Sequence, residues 1–161
     1  MKTRVGYSSM QIAIHWATVI LIVVQLFSGD AMEAAVRALA EGKAYDITFT
    51  RLHALTGVVV LVLAVLRLML RALRGVPDVP RDGDPRLVKL AEWTHRALLA
   101  LLILVPLSGL AAWGGGIAVA GDIHQVLVPL LFGLILLHAA AALYHQYVIK
   151  DNLLRRMMKP E

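Results

Sequence analysis

The sequence predicts an all-α integral membrane protein, a four-helix transmembrane bundle built as one domain over residues 1–161. Three observations predict it. Hydrophobic residues make up 59% of the chain, more than a soluble domain of this size carries. They gather into four long runs, each sufficient for a hydrocarbon core of roughly 30 Å. The Lys and Arg residues stand at the ends of those runs, as membrane topology requires. That distribution argues against nucleic acid as a partner, although the formal net charge is +5. The chain has no cysteine, which excludes disulfides, thiolate metal sites, Cys-ligated iron–sulfur clusters and covalent haem attachment.

A short lead with Lys2 and Arg4 precedes the first membrane helix, expected over about 10–28, which carries His15, Trp16 and Gln25. This run lacks a small-residue cleavage site and holds a histidine, so it is expected to stay in place. Gly29 to Thr50 reads as a polar connection whose centre, A-M-E-A-A-V-R-A-L-A-E, has helical spacing suited to the membrane surface. The second helix is expected over about 51–73. His53 opens it, Gly57 lies one turn on, and Arg67 and Arg71 share one face near its far end. A Pro/Gly/Asp loop from Gly75 to Pro85 ends it. The third helix is expected over about 90–113, with His95 near its start and a tolerated Pro106 inside. Gly114-Gly115-Gly116 breaks it. The fourth helix, about 122–149, leads into the basic tail K-D-N-L-L-R-R-M-M-K.

Orientation follows from the basic residues. The lead holds two, Arg67 to Arg96 seven and the tail four, so thirteen of sixteen lie on one side against Arg37, Lys43 and Arg51 on the other. Both termini and the second connection of this multi-pass chain are therefore expected to face the cytoplasm.

The histidines carry the chemistry. His124 and His138 are fourteen residues apart, close to four turns, so both leave one face of the fourth helix about 21 Å apart. With the predicted topology, His53 and His124 meet at the outer level. His15 and His138 meet at the inner level once the helices tilt. Imidazoles in a membrane are costly without partners. A cofactor that takes two imidazoles inside an apolar bundle is haem b. Zinc is less natural, since it wants four ligands. Two stacked haems b would make a transmembrane electron path. Arg67 lies fourteen residues after His53, at the level of the inner pair, and Arg67 or Arg71 is expected to hold a haem propionate. Gly57, Gly109 and Gly133 are small enough for a porphyrin to lie against a helix, although glycine also serves helix contact.

Plainer roles stand beside these. A lone histidine could simply bond a neighbouring helix. Water at the cytoplasmic surface could equally satisfy His95 and His145. Arg67 and Arg71 could snorkel to lipid headgroups. Trp16 and Trp93 read as interfacial anchors. Asp122 could orient the His124 ring or cap the fourth helix.

On these residues the chain resembles the prokaryotic cytochrome b561 family of di-haem four-helix membrane proteins. The motifs are Y-S-S-M-Q-I-A-I-H-W, R-L-H-A-L-T-G with V-L-R-L-M-L-R, and L-H-A-A-A-A-L-Y-H-Q-Y-V-I-K-D-N-L-L-R-R-M-M. The resemblance places the family's ligands on His15 and His138 for the inner haem and on His53 and His124 for the outer. It is closest to the branch that includes superoxide oxidase. Such proteins take electrons from superoxide at the periplasmic side and pass them to ubiquinone, with proton uptake from the cytoplasm. His145 matches a position of the inner quinone region, and His95 matches a histidine at the start of helix three. Arg37, Lys43 and Arg51 at the outer mouth could steer an anion. One departure is the short connection from about Gly114 to Gly121, where the family carries a longer loop. A flat outer face suits a docked periplasmic dehydrogenase, and an electron-relay subunit stays open as the second reading. A non-redox transporter is disfavoured by the lack of intramembrane carboxylates.

Overall fold

The computed structural model describes residues 6–75 and 85–160. The expected Pro/Gly/Asp loop and most of the basic lead lie outside the described residues. Among the described residues, four helices are long and apolar enough to cross a membrane. They are α1 (Ser9–Ala40), α2 (Ile47–Arg74), α3 (Pro85–Trp113) and α4 (Ala118–Tyr144). A π-helical turn, His145–Ile149, continues α4, and a 3-10 turn, Leu154–Met157, lies in the tail.

The largest departure from expectation is α1, which does not stop near residue 28. It has 32 residues, about 48 Å of helix, and overshoots a roughly 30 Å hydrocarbon core. The segment expected as a separate surface helix is instead the outer third of α1. Gly29 and Asp30 look like a break, but the residues after them are strong helix formers, and one internal glycine costs only about 1 kcal/mol. The start of α1 is fixed by a capping box between Ser8 and Gln11. Its end is turned at Gly42 (φ 67°), a left-handed position that glycine adopts without strain.

Asp46 caps α2 by accepting from the backbone N–H groups of Thr48 and Phe49. Pro85 opens α3, a position where its missing N–H costs nothing. The α3–α4 connection is only the glycine-rich turn 114–117. Ile117 stands at the N-cap of α4 with no side-chain cap bond, so Asp122 does not cap that helix.

The helices pack in sequence, α1 on α2, α2 on α3 and α3 on α4. Among the described residues, α4 does not pack closely on α1 or on α2. Half-way along the bundle, Val60, Ala64, Leu98, Leu102, Val105 and Leu131 form the buried core. Ala64 is fully buried, so α2 approaches α3 closely there. Outward-facing residues such as Ile20, Phe27 and Leu136 are exposed and suit lipid. The succession of helices gives the bundle two ends. At the tail end, Gln11 of α1 donates to the carbonyl of Gly75, and the Trp16 indole donates to the carbonyl of Met157 at 2.8 Å. At the far end, Tyr45 meets Trp113 edge to face.

Candidate functional site

Two histidine pairs face each other across the gaps beside α4. His53 of α2 and His124 of α4 have ring centroids 6.5 Å apart at the far end. His15 of α1 and His138 of α4 have ring centroids 6.5 Å apart at the tail end. The two members on α4 are separated by about 21 Å of helix axis.

Local hydrogen bonds orient the far-end rings. Nδ1 of His124 lies 2.8 Å from the carbonyl of Val105. A carbonyl only accepts, so Nδ1 carries the proton and Nε2 keeps its lone pair. The Ser108 hydroxyl, 3.2 Å from the same nitrogen, donates to the Val105 carbonyl at 2.8 Å. On the other side, Nδ1 of His53 lies 3.2 Å from the Ser28 hydroxyl, which itself donates to Val24. The amide of Gln25 donates to the carbonyl of His53 at 2.8 Å and to the hydroxyl of Thr56 at 2.7 Å, which fixes the turn that carries His53. One ring nitrogen held and the other free is the pattern of a metal-ligating histidine.

Gly109 is not open to a flat ligand. A Cβ there would lie 3.0 Å from Cε1 and 3.1 Å from Nδ1 of His124, so this glycine makes room for the imidazole itself. Gly57 faces Gln25, and of the three glycines expected against a porphyrin Gly133 alone has open space before it. Asp122 is exposed, and the Val105 carbonyl orients His124 in its place.

The tail-end pair has a third histidine beside it. His95 lies edge-on to His138 with centroids 5.1 Å apart, and its Nδ1 donates to the Ala91 carbonyl at 2.7 Å. It therefore sits at the level of the pair and not at a separate surface site. Nδ1 of His15 is buried without a hydrogen-bond partner among the described residues. Arg67 is near enough to act electrostatically on His15, His95 and His138. Arg67, Arg71 and Arg156 also act on Tyr7. Burial pushes the Tyr7 phenol above its usual range and the three cations pull it back. The phenol therefore stays protonated at neutral pH and can donate.

His145 begins the π-helical turn, and its Nδ1 meets a carboxylate oxygen of Asp151. Arg37 and Lys43, expected to steer an anion, are paired with Glu33 at 2.9 Å and Glu41 at 2.6 Å. Arg51 has no acidic partner among the described residues and lines a cleft of about 430 Å³ with Tyr45 and Trp113.

A haem iron fits these pairs. Two metal–nitrogen bonds of about 2 Å, with about 1.1 Å from each nitrogen to its ring centre, separate two centroids by roughly 6.2 Å. Both pairs lie at 6.5 Å. Among the described residues α4 does not pack closely on α1 or α2, the helices that carry the other member of each pair, so a flat group could lie between them. Among the described residues, no three His, Asp or Glu converge on a point that could hold a bare ion.

Sequence reasoning had not assigned Gln25, Ser28, Ser108 or Asp151 to the site. The first three left a weak signal, as polar side chains in otherwise oily runs.

Comparison with known proteins agrees with this architecture. The sequence profile described as prokaryotic cytochrome b561 matches residues 6–160. Cytochrome b562 of Cereibacter sphaeroides is 38% identical over 161 residues, covering 99% of each chain. A Yersinia pestis protein named "Probable superoxide oxidase CybB" is 30% identical, covering 94% of this chain and 95% of its own. Cytochrome b561 homolog 1 of Escherichia coli is 28% identical, covering 94% and 96%.

Proposed function

The chain belongs to the prokaryotic cytochrome b561 family of membrane electron-transfer proteins, and from that premise we propose a di-haem relay that takes electrons at the far end and gives them to a quinone at the tail end. His53 and His124 hold the outer haem b, and His15 and His138 the inner one. Arg67 pairs with an inner propionate, with Arg71 beside it and the Tyr7 phenol as a further donor. Haem iron held by two imidazoles supplies one-electron transfer and offers no open coordination position. The positive-inside bias supports a tail end in the cytoplasm and an inner-membrane location. The acceptor is ubiquinone, bound near His145 with His95 nearby. An imidazole there can deliver the protons that reduction of a quinone demands.

The favoured donor is superoxide, on the motifs above and on the name of the Yersinia relative. Arg51 is the cation at the far end available to an anionic donor. The observation that carries the proposal is the pair of matched imidazole separations at opposite ends of one apolar bundle. The test is haem stoichiometry with reduced-minus-oxidised spectra on detergent-purified protein, followed by superoxide-driven ubiquinone reduction. Two low-spin b haems per chain and quinone reduction by superoxide alone are expected. One haem would remove the transmembrane path.

A second reading keeps the relay and changes the donor to a docked periplasmic dehydrogenase. The short turn at 114–117 favours it, because it places no long loop over the α3–α4 side of the far end. A purified chain that reduces quinone only when that partner is added would select it.

A further inference from the structure

We propose that Asp151 is the positioning residue that makes His145 a proton donor at the tail end, and that the irregular backbone after α4 exists to bring the two together. The inference deepens the quinone reading above and rests on it. His145 follows His138 by seven residues, two turns of helix, so both lie on one face of α4 about 10.5 Å apart. His145 is therefore the next titratable ring on that face toward the tail end. Its side chain is 34% exposed and that of Asp151 is 23% exposed, so the pair sits at the boundary between bundle and water.

A regular helix would not form this pair. Six residues advance an α-helix by about 600°, which turns Asp151 about 120° away from His145. Two departures, the π turn and Lys150, correct that, and a third, at Asn152, turns the Leu153 N–H onto the carboxylate. The helix widens into a π turn at His145, with the Lys150 N–H donating to the His145 carbonyl at 2.7 Å. Lys150 and Asn152, the residues on either side of Asp151, both adopt φ 61°. That region is disfavoured for side chains larger than glycine, more for Lys150 than for an asparagine. An ordinary helix end would use glycine there. The outcome is a carboxylate with both oxygens committed, Oδ2 to Nδ1 of His145 and Oδ1 to the N–H of Leu153 at 3.1 Å. The tail beyond is tied to α1 by the Trp16 indole, the residue next to His15.

The chemistry follows from this geometry. Asp151 accepts from Nδ1–H, which leaves Nε2 as the nitrogen that exchanges protons. The carboxylate stabilises the imidazolium before transfer. In the transfer the Nε2–H bond of His145 breaks and an O–H bond forms on the quinone oxygen that has received electrons from the chain. His145 becomes neutral, keeps Nδ1–H on Asp151, and takes its replacement proton from water.

The experiment follows haem absorbance in the purified holoprotein after chemical pre-reduction and mixing with a short-chain ubiquinone, in water and in deuterium oxide. Asp151→Asn keeps the shape and removes the charge. Loss of a hydrogen bond to a charged group predicts reoxidation about 10- to 100-fold slower, with a larger solvent isotope effect and unchanged haem reduction. Asp151→Glu should restore much of the rate. In protein labelled with ¹⁵N-histidine, D151N should also shift the His145 Nδ1 signal. D151N that reoxidises at the parental rate with the parental isotope effect overturns the inference alone. Should D151N lose haem, His145→Gln is read in the same trace, and parental reoxidation there also overturns it. A parent protein whose haem ubiquinone does not oxidise overturns both the inference and the reading beneath it.

Discussion

Replacement of Gly109 by alanine adds one methyl group against a ring that has little freedom to retreat. The added Cβ would stand 3.0 Å from Cε1 and 3.1 Å from Nδ1 of His124. Comfortable carbon contacts begin near 3.5 Å, so the imidazole must shift by roughly half an ångström. The Val105 carbonyl holds Nδ1 on one side, at 2.8 Å, and the bound iron would hold Nε2 on the other. Overpacking of this kind costs about 1–3 kcal/mol. At about 1.4 kcal/mol per tenfold change, haem affinity at the far-end pair should fall about 5- to 140-fold. The assay is haem titration of the purified apoprotein, with the low-spin bands of the far-end and tail-end haems resolved in single-pair variants. The tail-end haem should be unaffected. Gly121→Ala, on the same helix as His124, is the control. Its added Cβ would meet only the Ala112 methyl at 3.7 Å, an ordinary contact. G109A that binds the far-end haem with parental affinity would refute the reasoning that this glycine exists to admit the His124 ring.

The other expectations follow the same geometry. His15→Ala and His53→Ala should each leave about one haem per chain, measured as the haem-to-protein ratio, and a chain that keeps both haems would break the pairing. Arg67→Gln removes a positive charge from beside His15 and His138, so the midpoint potential of the tail-end haem should fall while the other holds, as read by redox titration. Arg51→Glu should slow haem reduction by superoxide, and added salt should narrow its difference from parent. Arg37→Glu should change that rate less, because Arg37 is already paired with Glu33. Trp16→Phe removes the indole bond to the Met157 carbonyl. Proteolysis within residues 150–160 should then speed up with haem content unchanged.

The bundle and its histidines were legible because each rests on a strong local signal. An oily run of twenty residues has few alternatives to a membrane helix, and an imidazole inside one stands out. The fourteen-residue interval between His124 and His138 turned that signal into depth. The rest was hidden for physical reasons. The acceptor for His124 is the backbone carbonyl of Val105, and a carbonyl leaves no mark on the sequence. The end of α1 was misjudged because Ser28, Gly29 and Asp30 have the composition of a turn, while Ser28 is buried and its hydroxyl lies beside His53. Asp151 was hidden by the π turn, since helical periodicity points it away from His145. The pairing of Arg37 with Glu33 and of Lys43 with Glu41 was not foreseen either, because side-chain geometry makes that choice locally.

In the proposed relay the apolar layer between the two ends would separate the path of electrons from that of protons. Val60, Ala64, Leu98, Leu102, Val105 and Leu131 fill the bundle between the histidine pairs. Among the described residues, the buried polar side chains are Thr18, Ser28 and Thr50, and each donates to the backbone of its own helix. None therefore continues a hydrogen-bonded chain through that layer. An electron that crosses it leaves its proton behind, and charge must be balanced separately at each end. At the tail end the means are present. Arg67 and Arg71 favour arriving negative charge, and the His145–Asp151 pair can supply the proton where the bundle meets water. At the far end the rings are oriented by the Val105 carbonyl and the Ser28 hydroxyl, an arrangement that positions a ligand. This asymmetry is what the proposed direction of the relay rests on. Reduction of an acceptor that needs protons is favoured at the tail end, and the far end suits a donor that gives up an electron alone.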